Sequence, residues 1–142
     1  MPNIIEDLGA YFVSLGTDND ILSNLGDNSF AVNTNLFYQI EPPTPTNCVT
    51  IISYPGEPAD VNHKGAQYPS VQIRVKADGV QKAYLVTQSV INDLHQHPSL
   101  GSDIPMACFS LQSAPMFLKW DEEDYPIYVA NFRLMIKKHA IS

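Results

Sequence analysis

The sequence predicts an α+β domain, a mostly antiparallel sheet of about five strands packed against two main helices. Three observations carry this. Apolar residues recur at spacings of three and four in two stretches, at the N-terminus and between Asp78 and His97. They alternate with polar residues in several others, most clearly from Tyr68 to Ala77. Clusters of Pro, Gly and Asn separate these stretches, as turns require.

Taken in order, Asn3 is placed to cap a first helix whose face is Ile4, Ile5, Leu8, Tyr11, Phe12 and Leu15. Gly16 is expected to end it in a left-handed conformation. Residues 17–28 read as a loop, within which Ile21, Leu22 and Leu25 can form a short helical turn that packs down. Period-two patterning then predicts a strand from Ser29 to Ile40, interrupted near Asn33 to Asn35. Glu41 to Thr46 carries three prolines and serves as a connection. A second strand runs from Asn47 to Tyr54, and residues 55–67 read as a long irregular loop. In the Tyr68–Ala77 strand, Val71, Ile73 and Val75 face inward, and Gln72, Arg74 and Lys76 face the other way. The second helix starts at Asp78-Gly79, buries Val80, Ala83, Tyr84, Val90, Ile91 and Leu94, and stops before Pro98. Strands at Ile104–Gln112 and Pro126–Lys137 complete the sheet. The last is apolar on both faces, more than a solvated sheet allows, so a neighbouring subunit is the expected cover.

The length of 142 residues suits one domain spanning 1–142. No apolar run reaches membrane-spanning length, and Met1-Pro2-Asn3 lacks the basic lead of a secretory signal, so a membrane location is not expected. A net charge of −7 argues against a protein that grips nucleic acid, because phosphate attraction needs clustered Lys and Arg. It does not argue against one that surrounds DNA without holding it. Cys48 and Cys108 sit in strand-like segments and read as reduced, buried thiols of a cytosolic protein.

Catalytic and metal chemistry find little support. His95 and His97, with Asp93 and Asp103 nearby, form the most tempting metal set, but residues two apart on a helix point about 200° apart. No nucleophile elbow is present, and Asp78-Gly79 lacks the glycines of a phosphate cradle. The run Asp121-Glu122-Glu123-Asp124 reads as a solvated hairpin tip between Trp120 and Tyr125, or as a segment projecting into a partner or a channel. No catalytic residue, metal ligand or cofactor is expected.

A series of short motifs does point somewhere. Asn35-Leu36-Phe37-Tyr38 is followed by Pro42, Pro43 and Pro45, then by Val49 to Tyr54 with Pro55-Gly56-Glu57-Pro58. Tyr68-Pro69-Ser70-Val71-Gln72-Ile73-Arg74-Val75 comes next, then an amphipathic helix, Gln112 to Pro115, and Asp121-Glu122 ahead of Asn131-Phe132. This order resembles the minor capsid proteins of long-tailed bacteriophages that are related to tail terminators. The resemblance covers roughly residues 1–137 and implies a structural virion protein, not an enzyme. It implies a homo-oligomeric ring, commonly a hexamer, that stops growth of the major tail tube protein and meets the connector or stopper protein on the head side. DNA would pass through without specific binding, at the tail-head junction of a particle assembled in the host cytoplasm.

Expected interface residues are Tyr54, Pro55, Gly56, Glu57 and Pro58 in the long loop, with Arg74, Trp120 and Arg133. Asp121, Glu122, Glu123 and Asp124 are expected to face the lumen. A head-completion or connector subunit of the same particle is the alternative within this class, and a non-viral protein-binding module is the alternative outside it.

Overall fold

The computed structural model describes residues 4–16, 18–40, 46–57, 66–95, 106–110 and 114–137. They form three helices and six strands in the order α1 (Ile4–Val13), α2 (Asp20–Leu25), β1 (Leu36–Tyr38), β2 (Cys48–Glu57), β3 (Ala66–Lys76), α3 (Val80–Leu94), β4 (Met106–Ser110), β5 (Met116–Trp120) and β6 (Pro126–Lys137). The α+β class holds, with one more strand and one more helix than the periodicity predicts.

Pairing runs β1-β2-β3-β6-β4, with β5 also on β6. Among the described strands only β1 and β2 are parallel. Strands β4 and β5 lie in line along one edge of β6, β4 against Ile136 to Phe132 and β5 against Val129 to Pro126. Among the described strands the edges are β1 on one side and the β4–β5 line on the other.

One sheet face is mostly apolar and carries the helices. Register places Val49 and Ile51 beside Val75 and Ile73, and these beside Tyr128 and Ala130. Leu8 and Phe12 of α1, Ile21, Leu22 and Leu25 of α2, and Val86, Val90, Ile91 and Leu94 of α3 close over them. α1 lies against β1 and β2, and α3 against β3, β6 and β4. Alternation of period two meeting stripes of period 3.6 is what builds this core.

The local differences have local causes. α1 ends at Val13, where the Ser14 hydroxyl donates to the Tyr11 carbonyl at 2.5 Å. Gly16 is not left-handed. That conformation belongs to Gly26 (φ 87°), whose N–H reaches the Leu22 carbonyl and ends α2. The short turn expected around Ile21, Leu22 and Leu25 is this helix, capped by the Asn19 side chain. The expected cap at Asn3 lies outside the described residues.

The strand expected over 29–40 shrinks to Leu36–Tyr38 because Asn35 builds a turn instead. Its side chain accepts from Ala31 N–H and donates to the Asp27 carboxylate and the Ser29 carbonyl. The long loop at 55–67 is corrected too: β2 continues to Glu57 and β3 starts at Ala66, with Glu57 opposite Tyr68. A register shift between Tyr54 and Glu57 accommodates Pro55 and Gly56. In α3, Val80 and Tyr84 turn outward, and Val86 and Thr87 are buried in their place. The Thr87 hydroxyl is satisfied by the Ala83 carbonyl at 2.7 Å. The helix stops at Leu94, with His95 in extended conformation, earlier than the expected His97.

One close approach sets the seat of α1. A Cβ on Gly9 would lie 2.6 Å from Cζ of Tyr38, whose half-buried ring packs against the core. Alanine normally gains about 1 kcal/mol over glycine inside a helix. Here overpacking of about 2 kcal/mol outweighs that gain, so Gly9→Ala is expected to lower stability by about 1 kcal/mol. Urea unfolding of Gly9→Ala, Tyr38→Ala and the double variant checks this, since the double should cost less than the two singles added.

Candidate subunit interface

The acidic turn between β5 and β6 is organised by its first residue. The Asp121 carboxylate accepts from Glu123 N–H at 2.9 Å and Tyr125 N–H at 2.8 Å through Oδ1. Its backbone N–H reaches the Tyr125 carbonyl, and Asp124 adopts a left-handed φ of 66°. Oδ2 faces Lys76 Nζ at 3.4 Å, where Lys76 is 1% exposed and Asp121 15%. Partial burial pushes the Asp121 carboxyl up. The Tyr125 and Glu123 N–H bonds and the Lys76 ammonium outweigh this and hold it below the usual carboxylate value. Asp121 thus turns inward, while Glu122, Glu123 and Asp124 are exposed.

The other expected interface residues fall into separate places. Tyr54, Ser70 and Arg133 lie in one cross-strand row over β2, β3 and β6. Pro55, Gly56 and Glu57 follow in the same strand, and Pro58 lies outside the described residues. Arg74 and Arg133 share the sheet face away from the helices. There Arg74 Nε donates to Gln72 Oε1 at 2.7 Å, and Gln72 Nε2 donates to Asn131 Oδ1 at 3.0 Å. Trp120 is far from this row, opposite Pro126 at the other end of β6. On that second face Ile127 and Val129 are already buried within the chain, so they need no neighbouring subunit to cover them.

What periodicity misses is β5. All its residues are exposed, and all but Lys119 are apolar: Met116, Phe117, Leu118 and Trp120, the last 53% exposed. Ring contacts run from Trp120 to Phe117 (5.3 Å), from Phe117 to Tyr128 (5.6 Å) and from Tyr128 to Tyr84 of α3 (5.9 Å). Tyr84, Leu85 and Val80 extend the exposed apolar surface along α3. A run of apolar residues beside the only tryptophan was the available signal. Without alternation it does not read as a strand.

No group of three or more His, Cys, Asp or Glu side chains among the described residues is placed to hold a metal ion. His97 and Asp103 of the expected set lie outside the described residues. Asp93 is occupied by structure: Tyr11 donates its hydroxyl to Oδ2 at 2.5 Å, and Asn19 donates to Oδ1 at 3.3 Å. Burial first, then this bond and the Asp93 charge, raise the Tyr11 phenol far above its ordinary value. Cys48 is buried, as expected, and Cys108's side chain lies outside the described set. No helix among the described residues is long and apolar enough to cross a membrane.

A domain whose exposed features are an apolar edge strand and an acidic turn is built for contact. Its sequence from residue 14 to residue 138 matches the family model of the bacteriophage tail terminator protein. The chain belongs to the bacteriophage tail terminator family. The structure of this tail terminator is similar to that of a chain in the virion of a native gene transfer agent particle. The two are 16% identical, with 94% of each chain covered and a TM-score of 0.63, a likeness of fold. No curated protein matches the chain. The structural role that the motif order implies is therefore the role of its family.

Proposed function

We propose that this tail terminator closes into a ring, with six copies as the expected number. The ring caps the end of the tail tube and offers its other side to the head-side connector or stopper. It acts in the virion at the tail-head junction, after assembly in the host cytoplasm, and needs neither cofactor nor catalysis. The observation that carries this reading is β5, an edge strand exposed along its whole length and apolar at all but one position. A long exposed apolar edge is an aggregation hazard in a free monomer and an asset in a subunit that is covered on assembly.

Electron microscopy of the purified protein, alone and mixed with growing tail tubes, tests the proposal. Rings with a central hole and tubes capped at uniform length are expected. A monomer at high concentration that leaves tube growth unchanged would sink it.

Glu122, Glu123 and Asp124 are proposed to line the hole, where like charge keeps DNA from sticking. Asp121 belongs to the fold and is left out of that role. Reversing the three exposed acids to lysine should leave ring size intact and slow DNA ejection from assembled particles. Unchanged ejection kinetics would remove these residues from the lumen.

A further inference from the structure

The β1 and β5 edges differ in how their outward backbone groups are used. At β1 they are already bonded. Leu36 N–H donates to the Ala31 carbonyl, the Leu36 carbonyl accepts from Asn33 N–H, and the Tyr38 carbonyl accepts from Ile40 N–H. Gln39, at a left-handed φ of 68°, carries this seal on to β2. Its amide donates to the Ser53 hydroxyl and accepts from Ser53 N–H, both at 3.0 Å. Along β5, by contrast, the strand pairs with β6 and with no other described strand. A register shift between Phe117 and Lys119 leaves Leu118 out of that ladder. A short, bulged edge with a lysine resists the long edge of another sheet and has room for a few extended residues.

Sequence and reach select those residues. Of the segments outside the described residues, 1–3, 41–45, 58–65 and 96–105 each contain proline, which removes a ladder donor. Residues 111–113 only join β4 to β5. Residues 138–142 contain no proline, follow directly on β6 and include the apolar Ile141. Their own β5 is out of reach. β5 pairs with β6 no further along than Val129, and from Val129 to Lys137 is about 26 Å at the rise of a strand. Five residues extend over at most about 17 Å. Lys138 makes the segment cationic on a chain of net charge −7, so the field of a second copy draws it in.

We infer that residues 138–142 of a second copy of this chain add to the β5 edge as a short strand. The inference rests on the ring reading above and names the contact that builds it. Each copy then gives one segment and receives one. The two contact surfaces differ, so successive copies join head to tail, the geometry from which closed rings form. Main-chain hydrogen bonds hold the segment, and Ile141 meets the exposed apolar side chains of β5 and α3. Glu122, Glu123 and Asp124 take no part in this contact, in keeping with a place facing the hole.

Thiol crosslinking separates the possibilities. Ile141→Cys and Leu118→Cys are prepared as separate full-length proteins and treated with a short bismaleimide, alone, mixed, and mixed in the presence of tail tubes. The wild-type chain with its native cysteines is the control. Covalent dimers are expected from the mixture only, and the doubly substituted chain should give a ladder of oligomers. A crosslink closed within one doubly substituted chain would overturn the inference, because it places the segment on its own β5. Dimers from Leu118→Cys alone would overturn it in favour of a symmetric contact, and crosslinks from Leu118→Cys to the tube protein alone in favour of that partner. Assemblies of wild-type size without mixed crosslinks would overturn this contact and leave the ring standing. Wild-type protein that forms no ring, alone or on tube ends, would overturn the ring reading and this contact with it.

Ala140→Pro combined with Ile141→Asp gives a second measure, removing a main-chain donor and the apolar anchor together. Association should weaken about tenfold or more, with the melting temperature of the dilute protein unchanged. Undiminished association would overturn the inference.

Discussion

Replacing Asp121 by alanine is expected to destabilise the fold by about 3 kcal/mol, a drop of roughly 10 °C in melting temperature for a domain of this size. Two losses combine. The Glu123 and Tyr125 N–H groups lose the acceptor that shapes the turn, and the buried Lys76 ammonium loses the carboxylate 3.4 Å away. An ammonium left in a site 1% exposed keeps its desolvation cost and loses its compensation. Asp121→Asn should fall between wild type and alanine, because an amide oxygen still accepts from the two N–H groups. Adding Lys76→Met to Asp121→Asn should recover most of the remaining loss, since removing both charges of a buried pair is close to neutral. Thermal unfolding of the three variants, analysed as a double-mutant cycle, measures the coupling.

The same pair sets a pH dependence whose sign follows from its geometry. Asp121 is held below its unfolded value, so its contribution is fully present above about pH 4. It is lost as pH falls through the lower folded value. The stability gap between wild type and Asp121→Asn should therefore be constant near neutrality and narrow below about pH 4. A gap that widens on acidification would show that hydrogen bonding and the Lys76 charge do not control this carboxyl.

These residues also show where the sequence was legible and where it was not. Strand β3 was readable because Val71, Ile73 and Val75 are buried against the helices and alternate with Gln72, Arg74 and Lys76; β6 was readable from its length, although Ile127 and Val129 are buried on its second face too. Lys76 was correctly placed on the face away from the helices. Its burial arises from a turn far along the chain that folds back over it, and no local pattern records such a contact. β1 was overestimated because Phe30 and Leu36 are both buried and mimic one strand, although Asn35 turns the chain between them. β5 was missed because its exposure leaves no buried face to impose alternation, and that same exposure makes it the centre of the candidate interface. The fold was legible where a chain buries its own side chains. Much of the interface was not, because the surface that would make sense of it belongs to another molecule.

Phe12→Ala is expected to produce the largest loss from a single side chain, about 4 kcal/mol. Phe12 is fully buried and meets Phe30 edge-to-face, with centroids 5.5 Å apart and planes 80° apart. It holds α1 to the rest of the domain together with Leu8 and the Tyr11–Asp93 hydrogen bond. A domain of this kind is stable by about 5–15 kcal/mol in total, so the loss is a large fraction of what exists. Because Phe30 leads into the turn organised by Asn35, the cavity should loosen the approach to β1 as well as α1. Urea unfolding should show a lower midpoint, and hydrogen exchange should accelerate first in α1 and around residues 30–38. The mutation also separates fold from assembly. Trp120→Ala removes a larger ring but an exposed one, and should leave the midpoint within about 0.5 kcal/mol of wild type. If Phe12→Ala costs less than 1 kcal/mol, or Trp120→Ala costs as much as Phe12→Ala, the division between a buried helix-facing core and a free β5 edge is wrong. The interface would then have to be sought elsewhere.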